Sequence, residues 1–122
     1  VEQIIDFLEI QAYRKTPVGQ LPYGLQKRVD LGRALALEPK VLLLDEPVEG
    51  LAPIVVVEML KAIETMRRDS GMSILMVEQN ARQALEIADK GYVLVQGANR
   101  FTDTGAVLLA NPDVRRTFLG GR

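Results

Sequence analysis

Two short aliphatic runs predict buried β-strands in this chain. The first covers residues 41 to 44 and is followed by Asp45, Glu46 and Pro47, and the second covers residues 72 to 77. Both runs are too short for a helix, and an unbroken aliphatic run is typical of a strand buried on both faces of a parallel sheet. Pro47 has no amide hydrogen to donate, so we expect the first strand to end there.

Apolar residues at helical spacing predict three helices around these strands. Residues 1 to 8, 23 to 37 and 53 to 70 each place their apolar side chains on one face. Pro53 suits the first turn of the third helix, and Gly71 suits its C-terminal stop. Because this helix joins the two strands, the sequence predicts a right-handed βαβ unit with parallel pairing.

Turn and capping residues organise the last third of the chain. Asn80 is expected to cap a helix through its side-chain oxygen. Residues 92 to 95 and 100 to 102 are expected to pair as a hairpin across a glycine-containing turn. Two short helices should follow, the second beginning with Asn111 as its cap and Pro112 at its first position.

Composition adds exclusions to this α/β pattern. The 122 residues suffice for one domain, and 48% hydrophobic and 25% charged residues are ordinary for a soluble globular protein. The net charge is −1 with acids and bases mixed along the chain, which gives no electrostatic case for nucleic-acid binding. The sequence has no Cys and no His, so we expect no disulfide, no thiol chemistry and no zinc site.

The sequence shows no targeting or membrane-spanning segment. No run of about 18 apolar residues occurs, and the N-terminal residues lack the basic and apolar regions of a signal peptide. We therefore expect the protein to lie in the cytoplasm or to face it. Because Val1 stands in the middle of an amphipathic pattern, we also expect the given sequence to begin within a longer protein.

Two carboxylates stand together where the first strand ends, which is where open α/β sheets place their chemistry. In P-loop nucleotide hydrolases an Asp in this place holds Mg²⁺, usually through water, and a following Glu orients or deprotonates the attacking water. Asp45 is therefore a candidate metal-side ligand and Glu46 a candidate base. An ordinary acidic strand end would look the same, so the strand alone leaves both interpretations open.

The segments around this strand resemble the ATP-binding subunits of ABC transporters. Residues 21 to 36 stand where that family has its signature loop and a helix ending in Arg-Ala-Leu-Ala. Residues 40 to 47 resemble its Walker B strand, and residues 48 to 53 its D-loop. The likeness is closest to importers of branched-chain amino acids and related amides. It covers nearly all of the chain but only the second half of the family's domain.

The resemblance implies a fold and a division of the chain. The fold would be α/β, the C-terminal half of a P-loop NTPase domain, with a mostly parallel sheet flanked by helices and a C-terminal hairpin. Residues 1 to 37 would belong to the helical subdomain that carries the signature loop and helix. Residues 38 to 122 would form the C-terminal part of the ATPase core.

The resemblance also implies a nucleotide contact at the signature segment. In the family the start of this helix contacts the γ-phosphate bound by the other subunit of a dimer, since a helix N-terminus favours an anion. The implied contacts here are Pro22, Tyr23, Gly24 and Gln26. Pro22 stands at the usual Ser and Tyr23 at the first Gly, so one hydroxyl donor is lost while Gly24 and the helix dipole remain.

Two further positions depart from the usual family pattern. Gln79 stands where the switch loop usually carries His, although the importer subfamily often has Gln there. Its amide can orient a water or a phosphate oxygen but cannot carry a proton, and we predict a catalytic role of that limited kind. Ala52 stands where the D-loop usually ends in Asp.

The sequence contains no Gly-x-x-x-x-Gly-Lys-Ser/Thr motif. The amides, Lys and hydroxyl that hold the ATP phosphates and Mg²⁺ are therefore missing from this chain. We expect ATP and Mg²⁺ to be its cofactors only together with the half of the domain that carries the P-loop. By itself the chain should neither bind MgATP tightly nor hydrolyse it.

The leading hypothesis is the C-terminal half of a transport ATPase that works on the cytoplasmic face of a membrane. Its partners would be a second ATPase subunit in a head-to-tail dimer and the membrane subunits of the importer. One alternative is a non-catalytic fragment that serves as an interaction module. A repair or chromosome-structure ATPase shares the motif order, but the absence of heptads and of a basic stripe counts against it.

The second strand should have an unprotected edge in the isolated chain. In proteins of this resemblance it lies between the Walker B strand and the strand that leads into the P-loop. Residues 72 to 77 contain no Lys and no Pro, the residues that usually protect a free edge. We therefore expect the isolated chain to self-associate.

Overall fold

The computed structural model describes residues 1 to 120 and divides the chain into two units, Val1–Val77 and a second unit beginning at Glu78. The first unit contains α1 (Glu2–Phe7), α2 (Tyr23–Leu35), β1 (Val41–Asp45), α3 (Pro53–Ser70) and β2 (Ser73–Val77). The second contains α4 (Ala81–Ile87), β3 (Gly91–Val95), β4 (Ala98–Asp103), α5 (Gly105–Ala110) and α6 (Pro112–Phe118). None of the helices within residues 1 to 120 is long and apolar enough to cross a membrane.

The two strands of the first unit pair in parallel, as predicted. The register places Val41 opposite Ser73 and Asp45 opposite Val77. The connection between the strands contains α3, because parallel strands require a crossover rather than a tight turn. The predicted βαβ arrangement of strand, helix and parallel strand is therefore confirmed.

The prediction that β1 is buried on both faces is wrong. Leu42 is only 5% exposed, whereas Leu43 on the opposite face is 70% exposed. Leu75, the register partner of Leu43, is 58% exposed. A strand is buried on both faces only where packed layers lie on both sides, and the first unit buries this two-stranded sheet on one side. Side chains alternate between the faces, so every second apolar residue is left exposed.

Helix α3 follows its sequence signals closely. Pro53 occupies its first turn and Gly71 is its C-cap residue. The predicted inward stripe is confirmed, and all five of its members are buried: Val56, Met59, Leu60, Ile63 and Met66. Burying side chains of this size contributes about 1.5 to 3 kcal/mol each, so this stripe is a principal source of stability in the first unit.

Helical spacing predicts an inward face of α2 made of Leu25, Val29, Gly32 and Ala36, which is only partly correct. Gly32 is buried, but Leu25 and Val29 are half-buried, Ala36 is exposed, and Leu31 is buried instead. A Cβ atom added at Gly32 would lie 2.9 Å from Cδ1 of Leu8. The buried side of α2 is thus set by its close approach to the end of α1. The spacing of apolar residues in the sequence does not predict this approach.

Residues 11 to 20 show no helical periodicity and include Pro17 and Gly19, which predicts a loop. The segment contains two single turns of 3₁₀-helix, Gln11–Tyr13 and Val18–Gln20. Arg14 follows the first turn and forms an exposed ion pair with Glu2 at the start of α1. The hydrogen bond from the Arg14 guanidinium lowers the pKa of the Glu2 carboxyl group. The pair ties this otherwise irregular segment to α1.

The second unit has its own small core. The predicted hairpin is confirmed, with longer strands and a tighter turn at Gln96 and Gly97, both at positive φ. The register shifts between Val93 and Leu94. The core consists of Leu85, Leu108 and Val114, packed against the partly buried side chains of Val93, Phe101, Leu109, Phe118 and Leu119. It therefore draws on α4, α5 and α6 and on one face of the hairpin.

One of the two predicted helix caps is confirmed. The Asn111 side-chain oxygen accepts hydrogen bonds from the backbone N–H groups of Asp113 (2.9 Å) and Val114 (3.2 Å) at the start of α6. The prediction for Asn80 is wrong, since its side chain accepts no capping hydrogen bond from α4. Its amide nitrogen donates instead to Oε1 of Gln83, so the side chain pairs with a neighbouring polar side chain.

The two asparagines give a matched test of capping. Asn111→Ala removes the acceptor of two backbone N–H groups and should lower the free energy of unfolding by about 1 kcal/mol. Asn80→Ala removes no capping bond, so its effect should be clearly smaller. Urea denaturation of the two variants measures both effects. Equal losses would contradict the assigned difference between the caps.

Candidate functional site

The backbone at the end of β1 is fixed by one hydrogen bond beyond the strand. The N–H of Glu46 donates to the carbonyl oxygen of Val77 at 2.8 Å, so the parallel ladder continues past Asp45. Asp45 is exposed and lies on the same face as Leu43, and Glu46 is half-buried. The two predicted carboxylates therefore leave the chain at the carboxyl end of the strand pair.

Glu46 adopts an unusual backbone conformation. Its φ of +45° lies in the left-handed region, which costs a residue with a Cβ atom about 1 to 2 kcal/mol. The turn that follows is closed by the N–H of Glu49, which donates to the Glu46 carbonyl at 3.2 Å, and it is anchored by Val48, only 4% exposed. Strain of this kind concentrates at functional sites, where surrounding contacts hold a residue in place.

The signature segment forms the start of α2. Pro22 is the N-cap residue, and its carbonyl oxygen accepts the N–H groups of Leu25 and Gln26 at 2.9 and 3.1 Å. The N–H groups of Tyr23 and Gly24 consequently lie at the open end of the helix, where no intrahelical acceptor exists. The first turn contains no acidic residue. This end of α2 thus keeps the positive field that favours an anion.

Gln26 acts within its own segment. Its Nε2 donates to the carbonyl oxygen of Leu21 at 2.8 Å, and the Leu21 side chain is buried. The bond holds the loop against the first turn of α2. A contact between Gln26 and nucleotide stays a prediction. The side-chain oxygen of Gln26 and the exposed edge of the loop are the groups that could make it.

The structure brings the start of α2 against the residues that follow the acidic strand end. A Cβ atom added at Gly24 would lie 3.2 Å from Cγ1 of Val55 and 3.7 Å from Cδ2 of Leu51. A Cβ atom added at Gly50 would lie 3.4 Å from Cε1 of Tyr23. The signature segment and the turn after Glu46 are therefore neighbours in one unit.

Arg28 is a structural residue that the sequence did not reveal. Its side chain is 13% exposed, and it donates to the Leu8 carbonyl at 3.2 Å, forms an ion pair with Glu58, and lies 3.6 Å from Glu9. It therefore joins the end of α1, the middle of α2 and the first half of α3. The only sequence signal was a match to the family's signature helix, which does not indicate these partners.

A cavity of about 290 Å³ lies beside Arg28. It is lined by Phe7, Leu8, Glu9, Arg28, Glu58, Met59, Lys61, Ala62 and Thr65.

Gln79 belongs to the second unit. It is exposed and stands between β2 and α4, and its carbonyl oxygen accepts the N–H of Ala81 at 2.7 Å. In the first unit, Asp45 and Glu46 lie together at the end of β1. The start of α2 packs against the residues that follow them. The role of Gln79 stays a prediction.

The acidic strand end fits the ligand preference of Mg²⁺. This ion is commonly held by one or two carboxylates together with waters and phosphate oxygens, rather than by a cage of protein ligands. Asp45 offers one exposed carboxylate, and no group of three or more acidic, His or Cys side chains within residues 1 to 120 could form such a cage. Asp45 is therefore suited to a metal that also binds phosphate.

The strained turn at Glu46 can be tested by stability alone. Glu46→Gly should be about 1 kcal/mol more stable than Glu46→Ala, because glycine adopts a φ of +45° without the steric cost of a Cβ atom. Asp45 lies in an extended strand, so the order should reverse there, with Asp45→Gly less stable than Asp45→Ala. Urea denaturation of the four variants decides. The same order at both positions would contradict the strain.

Comparisons with known proteins agree with this arrangement of segments. The profile of the ABC transporter family matches residues 1 to 49. Over 103 residues the chain is 50% identical to the high-affinity branched-chain amino acid transport ATP-binding protein BraG of Pseudomonas aeruginosa, covering 84% of this chain and 44% of BraG. Over 118 residues it is 34% identical to the lipopolysaccharide export system ATP-binding protein LptB of Escherichia coli K12, covering 97% of this chain and 48% of LptB.

Solved structures confirm the fold class. CbiO1 of Clostridium perfringens, part of the ABC transporter complex CbiONQ, superposes with a TM-score of 0.83 at 28% identity, covering 94% of this chain and 46% of CbiO1. A nucleotide-free ATP-binding cassette from an ABC transporter superposes with a TM-score of 0.82 at 26% identity, covering 99% of this chain and 49% of the cassette. The chain spans about half the length of the curated relatives it matches. It belongs to the ATP-binding proteins of ABC transporters.

Proposed function

We propose that this chain is part of the ATPase subunit of an ABC importer for branched-chain amino acids or related compounds. The observation that carries the ATPase role is the position of Asp45 and Glu46 at the carboxyl end of the parallel strand pair, where open α/β sheets place their chemistry. In the same unit, Tyr23 and Gly24 pack against the residues that follow Glu46. The importer class rests on the 50% identity to BraG, which exceeds the 34% identity to LptB.

Asp45 and Glu46 would have separate catalytic roles at the end of β1. The exposed carboxylate of Asp45 would act on Mg²⁺, and this ion when bound neutralises charge on the phosphate oxygens. The carboxylate of Glu46 would accept the proton of the attacking water. Because the Glu46 backbone is tied to Val77 and held at a φ of +45°, the point from which its side chain leaves the backbone is fixed before any substrate arrives.

The signature segment would serve the nucleotide of a second subunit. The open N–H groups of Tyr23 and Gly24 can donate to a γ-phosphate, and Pro22 and Gln26 shape the loop around it. This arrangement requires a head-to-tail dimer with two ATP molecules between the subunits. Hydrolysis would then drive membrane subunits bound on the cytoplasmic face.

The remaining assignments complete the proposal. Gln79 would orient the water or a phosphate oxygen through its amide. Residues 1 to 37 would belong to the helical subdomain, and residues 38 to 122 to the ATPase core. ATP and Mg²⁺ would be bound only with the half of the domain that carries a P-loop.

A complete subunit is needed to test the two carboxylates. We would place this chain in the matching segment of BraG, to which it is 50% identical, and measure MgATP hydrolysis by the chimera. Glu46→Gln should keep ATP binding and lower turnover by about a hundredfold or more, because an amide cannot accept the water's proton. Asp45→Asn should instead raise the Mg²⁺ concentration required for half-maximal activity.

Two outcomes would contradict the proposal. A parental rate in Glu46→Gln would remove Glu46 as the base, and an unchanged Mg²⁺ requirement in Asp45→Asn would remove Asp45 from the metal site. Asp69→Asn offers a control with the same chemical change at an exposed position. It should leave the Mg²⁺ requirement unchanged. A parent chimera without MgATP hydrolysis would contradict the ATPase role itself.

The exposed face of the sheet formed by β1 and β2 favours a second candidate function. The isolated chain would serve as an interaction module. Leu43 and Leu75 are register partners on that face, and both are largely exposed. Sedimentation of the 122-residue chain should show assemblies larger than a monomer. The double variant Leu43→Thr with Leu75→Thr, which keeps strand propensity, should shift them towards monomer.

Leu37→Thr is the matched control for this experiment. Leu37 is 82% exposed, but it lies outside both strands, so its replacement should leave the association unchanged. A monomeric parent chain, or association unaffected by the double variant, would exclude self-association through the sheet.

A further inference from the structure

The turn after Glu46 holds a strained backbone. Glu46 and Gly50 both have positive φ, +45° and +71°, so the turn begins and ends with a left-handed residue. Inside the turn the supports include the hydrogen bond that closes it, a second from the N–H of Leu51 to the carbonyl of Val48 at 3.3 Å, and the buried side chain of Val48. Strained backbone of this kind persists only where neighbouring groups hold it.

Tyr23 supplies an outside support to this turn. Its Cε1 and Cδ1 would lie 3.4 and 3.9 Å from a Cβ atom at Gly50, so the ring edge covers the place where a side chain would stand. The ammonium group of Lys27 lies 5.5 Å from the centroid of the same ring. This cation–π contact restrains the ring from its own helix. The ring is therefore held on α2 while it packs on Gly50.

We propose that Tyr23 is a positioning residue for Glu46. Its ring holds Gly50, and through the turn of residues 46 to 50 it keeps the Glu46 carboxylate in its oriented state. The inference rests on the proposed function and adds a role for the Tyr23 side chain, distinct from the backbone N–H assigned to phosphate. The half-exposed ring is replaceable without loss of a buried core residue.

The BraG chimera allows the test in a complete subunit. Tyr23→Ala should lower kcat about tenfold with little change in KM for MgATP, because the base is misplaced while nucleotide contacts persist. Tyr23→Phe should recover most of the loss, since the ring and not the hydroxyl contacts Gly50. Tyr13→Ala makes the same chemical change at an exposed Tyr in the first unit and should leave kcat unchanged.

A double-mutant cycle separates positioning from general destabilisation. If Tyr23 acts through Glu46, adding Tyr23→Ala to Glu46→Gln should lower the residual turnover no further. Gly50→Ala approaches the contact from the other side and should reproduce the loss of kcat, because a residue with a Cβ atom is strained at a φ of +71°.

The outcomes for the two proposals are distinct. Parental turnover in Glu46→Gln overturns the proposed function, whatever Tyr23 does. Loss of turnover in Glu46→Gln together with parental kcat in Tyr23→Ala overturns the positioning role alone. A further loss in the double variant, or no recovery in Tyr23→Phe, also overturns it. Should Tyr23→Ala fail to fold, the result for Gly50→Ala decides.

Discussion

The parallel pairing of β1 with β2 is the constraint on which the first unit depends. Its last hydrogen bond, from the Glu46 N–H to the Val77 carbonyl, carries the ladder one residue past the strand. The chain then turns away from the strand at Glu46, whose φ of +45° departs from extended backbone. That turn determines where the Glu46 side chain leaves the backbone. The proposed chemistry is therefore a consequence of how a strand pair ends.

Much of this unit could be predicted because its signals are local. The stripe on α3 needs only helical spacing, and its ends need only Pro53 and Gly71. Parallel pairing followed from a helix between two apolar runs. Asp45 and Glu46 could be proposed as site residues because the carboxyl end of such a strand is where α/β sheets place their chemistry.

The features that could not be predicted depend on what lies next to a residue in space. An aliphatic run does not tell how many layers pack on a strand, so the exposure of Leu43 was missed. Asn is a residue type that commonly caps helices, but the side-chain amide of Asn80 donates to Gln83 instead. The contact of Tyr23 with Gly50 and the ion pair of Arg28 with Glu58 join residues distant in sequence. Neither leaves a periodic signal in the sequence.

These distant contacts give α2 a fixed place in the first unit. Arg28 ties its middle to the end of α1 and to α3, and the close approach at Gly24 ties its start to Leu51 and Val55. Because the helix is held at two separate points, its open N-terminal end cannot shift without disturbing the residues that follow Glu46. An anion bound at that end would therefore act on the same residues that orient the carboxylate. Because Glu46 is held at a positive φ by its neighbours, a shift of those neighbours would also act on Glu46.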